Sequence, residues 1–221
     1  METTQLETMQ FLNFLFRWGH LLFGITWIGM LYYFNFVQGA YFKEATPEAL
    51  GDAKAKLAPR ALWWFRWGAM FTFLTGVVLL VGVMQQNVLN DLIVVGVLLG
   101  TLMFLNVWLV IWPNQKIALG IVKEGDAAAA GAKALLASRT NVLFSGPMAY
   151  CMLASPHLGY STGHILSAEG GGAGFYIALL IVAALEVNAL AGKQGPLTTV
   201  RGVIVSSLVL TAVLAGLLHL L

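Results

Sequence analysis

The sequence predicts an all-α integral membrane protein: one domain over residues 1–221, a bundle of about six transmembrane helices with both termini periplasmic. Three observations carry this reading. Of the 221 residues, 59% are hydrophobic and only 10% charged, whereas a soluble domain carries roughly a quarter charged residues. So large an apolar excess needs lipid as its solvent. The apolar residues gather in six runs near the roughly 20-residue length of a membrane span. Finally, lysine and arginine alternate from loop to loop, as the positive-inside rule requires.

The first run covers residues 11–37. The ten residues before it hold two glutamates and no lysine or arginine. That is the wrong charge for a secretory signal peptide, so the run is expected to be retained. The second covers residues 61–84, where Gly68, Thr72 and Gly76 form a small-residue stripe suited to close helix contact. The third, 92–112, closes on Trp112-Pro113-Asn114-Gln115-Lys116. Tryptophan and lysine mark the interface there and proline helps end the helix. Asn114 and Gln115 either cap that end or line an entrance.

The fourth run, 141–155, is short and contains Gly146-Pro147. It reaches span length if the alanine-rich stretch from residue 127 joins it, giving 127–155. The alternative lays that stretch along the interface. The fifth and sixth runs cover 172–190 and 200–221.

Orientation follows from the loops. Lys43, Lys54, Lys56 and Arg60 follow the first run. Lys116, Lys123, Lys133 and Arg139 follow the third, and Lys193 follows the fifth with Arg201 just beyond. The N-terminal tail and the other loops hold none, which places the odd-numbered loops in the cytoplasm of a bacterial inner membrane. The net charge of +2 gives no argument for nucleic acid. The single cysteine, Cys151, excludes an intrachain disulfide, an iron–sulfur cluster and a covalent c-type haem.

A histidine and an arginine are costly in hydrocarbon, so Arg17-Trp18-Gly19-His20 in the first run marks a functional site. Gly24, Trp27, Gly29, Tyr32 and Tyr33 follow, flat or small residues that leave room beside a helix for a planar cofactor. His20 is therefore read as an axial ligand to haem b. All four histidines fall on the outer side of this topology, so the second ligand is expected from His157, His164 or His219. Arg17, one turn before His20, is placed on a haem propionate, which its planar fork suits. Two alternatives remain: a histidine that only hydrogen-bonds to a neighbouring helix, and an imidazole site for copper or zinc built from His20, His219 and His157.

On the inner side, Arg66 and Glu186 stand at similar depth, about two turns from the surface. Pairing is the usual solution for charge in lipid, so the two are expected to pair, directly or through Asn188. Asn35 and Asn106 reach comparable depth. The four residues form either a polar pocket or proton path open to the cytoplasm, or an interhelical clamp. Phe16-Arg17-Trp18-Gly19 recurs as Phe65-Arg66-Trp67-Gly68, a trace of helix duplication or a pair of ordinary interface anchors.

The stretch from Arg17-Trp18-Gly19-His20 through Gly24-Ile25-Thr26-Trp27-Ile28-Gly29 to Tyr32-Tyr33-Phe34-Asn35-Phe36-Val37-Gln38 resembles the opening helix of the bacterial membrane-bound urate hydroxylases, the urate oxidase N-terminal membrane domain. Pro59-Arg60-Ala61-Leu62-Trp63-Trp64-Phe65-Arg66-Trp67-Gly68-Ala69-Met70 resembles that family's second helix. Asn106-Val107-Trp108 and Ile111-Trp112-Pro113-Asn114-Gln115 resemble its third. The second half shows general helix pattern and little motif. The first helix is also similar, more distantly, to that of haem-binding bacterial protoporphyrinogen oxidases.

The resemblance implies an inner-membrane oxidoreductase that oxidises a small purine such as urate and passes electrons outward. Urate-active members carry a fused cytochrome c domain, and this sequence has no Cys-x-x-Cys-His. The expected electron acceptor is therefore a separate cytochrome c or a quinone. Two readings from other classes compete. One is a cofactor-free small-solute transporter, with the run broken at Gly146-Pro147 as its site. The other is an accessory subunit of a larger respiratory complex, or a homo-oligomer.

Overall fold

A computed structural model describes residues 2–158 and 171–221, with side chains from residue 7 onward. Every regular element among these residues is helical. The long helices are α1 (Glu2–Tyr32), α4 (Ala58–Gln85), α5 (Asp91–Leu105), α7 (Ala127–Leu158), α8 (Ala173–Ala191) and α9 (Val200–Leu220). A π-helical segment, π1 (Tyr33–Gln38), joins α1 to α2 (Gly39–Glu44). After it come α3 (Pro47–Asp52) and π2 (Ala53–Leu57), which leads into α4. A third such segment, π3 (Asn106–Ile111), joins α5 to α6 (Trp112–Ala118).

The helix starts and stops have local causes. Thr46, Asn90 and Thr199 each cap a helix N-terminus through a side-chain oxygen. Asp126 does the same for α7, accepting from the backbone of Ala128 and Ala129. The helix expected to close at residues 112–116 runs on through α6 to Ala118, so Asn114 lies inside it and donates to the carbonyl of Val110 at 2.7 Å. Exposed Lys56 and Asp52 pair one turn apart.

Five helical stretches are long and apolar enough to cross a membrane: Glu7–Glu44, Pro47–Gln85, Asp91–Ala118, Ala173–Ala191 and Val200–Leu220. By length and composition this is a multi-pass membrane protein. The sixth expected run becomes α7, one unbroken helix through both Gly146 and Pro147. The alanine-rich stretch from residue 127 therefore extends the helix, and the break at Gly146-Pro147 does not occur.

α7 is less apolar than the others because it sits at the centre. It packs against α5, α6, α8, α9 and α1, and every residue from 136 to 145 is buried. A helix covered on all sides needs no lipid-facing apolar stripe. Arg139, expected in a cytoplasmic loop, is consequently inside the bundle. It lies twelve residues into α7, about 18 Å along its axis at ~1.5 Å per residue.

Glycines set the close approaches. A Cβ at Gly68 would meet the Trp27 backbone nitrogen at 3.1 Å, and one at Gly96 would meet Cys151 and Met152 at 3.2 Å. Gly174 lies against the carbonyl of Leu217, which brings α8 onto α9. These contacts, with Tyr32 against Ser145 and Tyr150 against His219, fix directions. α4, α7 and α9 run one way and α1, α5 and α8 the other. The ends that carry the basic loops therefore gather at one end of the bundle, the basic end.

Candidate functional site

His20 lies in the seam between α1 and α4. The small-residue stripe, expected to serve packing alone, also seats this ring: a Cβ at Gly76 would come 3.1 Å from His20 Cε1. His20 Nδ1 lies 2.9 Å from the carbonyl of Thr72 and 3.2 Å from Thr75 Oγ1. A carbonyl only accepts, so Nδ1 carries the proton and Nε2 keeps its lone pair. Thr72 is midway along α4, about 20 Å from that helix's C-terminal end at ~1.5 Å per residue. Trp27 is two turns further along the same face of α1. It is 2% exposed, and its Nε1 has no partner.

The other histidines stand elsewhere. His219 Nε2 is 2.9 Å from Tyr150 Oη, joining the last turn of α9 to the C-terminal half of α7. His157 is exposed in the last turn of α7, and His164 lies outside the described residues. Among the described residues no hydrogen bond joins His20 to another histidine, and no group of three or more histidine, cysteine or acidic side chains could hold a metal ion. The outer-side grouping read from the sequence is thus a shared end for His157 and His219, whereas His20 lies mid-helix. Arg17 is exposed and donates through Nε to Asn13 Oδ1 at 2.8 Å. Tyr33 is half-buried, its ring against Phe34.

The inner polar residues form two groups. Asn106 Nδ2 donates to Glu186 Oε2 at 3.1 Å and to Asn141 Oδ1 at 3.1 Å. Asn141 in turn donates to the carbonyl of Met103 at 2.9 Å. This ladder ties α8, π3 and α7 together. Beside it, Asn35 donates to Ser138 Oγ at 2.8 Å and to the carbonyl of Leu31 at 2.9 Å. Tyr32 Oη reaches Ser145 Oγ at 2.8 Å, and Ser145 donates onward to the carbonyl of Val142. Asn35 and Asn106 both sit in π-helical segments, whose wider turn changes which face a side chain presents.

The expected pairing of Arg66 with Glu186 does not form. Asn106 takes the carboxylate instead, and Asn188 is spent on the backbone of Lys193. Arg66 stacks on Trp112, with its guanidinium carbon 3.3 Å from the ring centroid and 6.0 Å from that of Trp108. Its Nε and Nη1 have no hydrogen-bond partner among the described residues.

The sequence reading missed Arg139, which is 8% exposed with Nε and Nη1 unpartnered. It also missed Asn141, Ser138 and Ser145. The available signal was a polar residue at every third or fourth position of α7, a stripe that a lipid-facing helix would not carry.

With this geometry in place, comparison with known proteins is informative. Residues 87–184 match the model of the family described as urate oxidase N-terminal. The match bears out the family resemblance over this part of the chain; the first- and second-helix motifs lie before it. It includes the third-helix motifs and extends through α7, where the sequence reading found little motif. No curated protein and no solved structure matches the chain.

Proposed function

We propose that this chain, carrying the urate oxidase N-terminal match over residues 87–184, is a b-type haem-binding electron-transfer protein of the bacterial inner membrane. The observation that supports this is the tautomer of His20. With Nδ1–H held by the Thr72 carbonyl, the lone pair stays on Nε2. A metal-ligating histidine usually has this arrangement, its other ring nitrogen donating to a carbonyl. The donor chemistry of His20 therefore fits an iron ligand, which this residue would supply to a haem. Gly76 lies against the ring, and Arg17 one turn away would meet a propionate. His219, His157 and His164 remain candidates for a second ligand contributed on assembly.

Bound haem supplies one-electron chemistry. The chain supplies the imidazole, its orientation and the apolar surroundings that exclude water. The Asn106–Glu186–Asn141 ladder, with Asn35 and Ser138 beside it, offers an acid and amides for proton movement from the basic end. A small purine such as urate is the substrate class the family match suggests. The electron acceptor is then a separate cytochrome c or a quinone.

The experiment is an optical and haem-extraction measurement on the purified full chain. A Soret band that shifts on reduction, with extractable haem b, is expected in the wild type and absent from His20→Ala. A colourless, folded wild-type protein overturns the proposal and favours a cofactor-free transporter or an accessory subunit.

A further inference from the structure

Among the described residues Arg66 has no acidic partner, in a seam at the surface of the bundle. α4 packs along the length of α1 but touches π3 only sparsely. At that contact, Trp67 meets Trp108 edge to face at 5.9 Å. The Arg66 guanidinium carbon sits 3.3 Å from the centroid of the Trp112 ring, so the indole covers one side of the group. Nε and Nη1 have no acceptor, and neither does Trp108 Nε1. All are donors. The side chain is half-buried; Nε, Nη1 and Trp108 Nε1 lie inside the seam, where a ligand reaches them by entering between α4 and π3. Lys116 approaches the same Trp112 ring at 5.6 Å and adds a second positive charge.

The surroundings describe the occupant. The tryptophan row continues from Trp108 and Trp67 to Trp63 and Trp64, the last two 48% and 58% exposed. Trp63 and Trp64, with Pro59 and Arg60, line an open cleft of about 360 Å³. Further along α4 the exposed side chains are Phe71, Leu74, Val77, Val78 and Val81, a surface for acyl chains. Indoles at the headgroup level, cations beside them and an apolar track running into the membrane match one molecule that is polar and anionic at one end and apolar at the other.

We infer that the seam between α4 and π3–α6 is a binding site for an anionic phospholipid of the cytoplasmic leaflet. The phosphate accepts from Arg66 and from Trp108 Nε1, and the acyl chains lie along α4. Arginine's planar fork suits a phosphate better than a lysine point charge does.

The test is native mass spectrometry of the full chain purified in detergent, titrated with phosphatidylglycerol and with phosphatidylcholine of the same acyl chains. The wild type is expected to retain one phosphatidylglycerol in preference to phosphatidylcholine. Arg66→Gln is expected to lower that preference about fivefold, the effect of one basic residue near a membrane surface. Trp108→Phe, which keeps the ring and loses the donor, should lower it less. Arg201→Gln removes an exposed guanidinium at the same end and should leave it unchanged. Equal retention of the two lipids by the wild type overturns the inference. So does an equal loss in Arg66→Gln and Arg201→Gln, which would mean diffuse charge attraction. Displacement of the retained lipid by millimolar inorganic phosphate would place a small free anion at the site instead, and also overturns it.

Discussion

The Thr72 carbonyl accepts from His20 Nδ1 at 2.9 Å, which leaves Nε2 as the imidazole nitrogen with a free lone pair. The acceptor is a helix carbonyl that Thr72's own hydroxyl does not use, since that hydroxyl donates back to Gly68 at 2.7 Å. The ring is thus oriented by the backbone of α4, and side-chain substitutions at Thr72 should leave the tautomer intact.

Gly76 sets the space for that ring. A Cβ there lies 3.1 Å from His20 Cε1, whereas a Cβ at Gly29 meets nothing within 4 Å. Gly76→Val should displace the imidazole and strip most bound haem, while Gly29→Ala should retain it. Haem content per chain after purification checks both.

Asn106 is the donor that makes Glu186 tolerable inside the bundle. Asn106→Leu removes that donor and should lower stability by about 1–2 kcal/mol, the range of a polar contact between membrane helices. Asn106→Leu combined with Glu186→Gln should recover part of the loss, because the remaining group is then neutral. Thermal unfolding of the detergent-solubilised variants measures the difference.

Tyr32 joins α1 to the central helix through Ser145. Its ring also stacks on Phe36, so Tyr32→Phe keeps the packing and loses only the hydroxyl. The expected cost is small, about 0.6 kcal/mol by the average for such bonds in membranes. The same unfolding assay reads it.

Gly174 and Gly216 separate packing from propensity. Gly174 lies against the Leu217 carbonyl, and a side chain there forces α8 away from α9; Gly216 has open space. Gly174→Val should destabilise strongly and raise proteolysis of the α8 region. Gly216→Ala should be neutral or slightly stabilising, since alanine is the better helix former. Limited proteolysis with mass mapping distinguishes them.

The helices and their common basic end were legible because apolar run length and lysine placement report directly on solvent. The partners of the inner polar residues were not. Helix depth placed Arg66 and Glu186 at one level, but depth says nothing about which face each presents. The π-helical turn at residues 106–111 brings Asn106 to Glu186 and Trp108 toward Arg66, and no periodicity announces such a turn. Arg139 looked like a loop cation because α7 is too polar to read as a membrane helix; its polarity is explained by a central position that only the packing reveals. His20 was legible as unusual, yet its partner is a backbone carbonyl, and a carbonyl leaves no mark in sequence.

Replacing His20 by glycine and adding imidazole to the purified protein addresses the iron ligand itself. His20→Gly is expected to lack the wild-type Soret band, and free imidazole, entering the space beside Gly76, is expected to restore it. A His20→Gly protein that keeps the wild-type haem spectrum without imidazole would contradict the assignment of iron to this side chain.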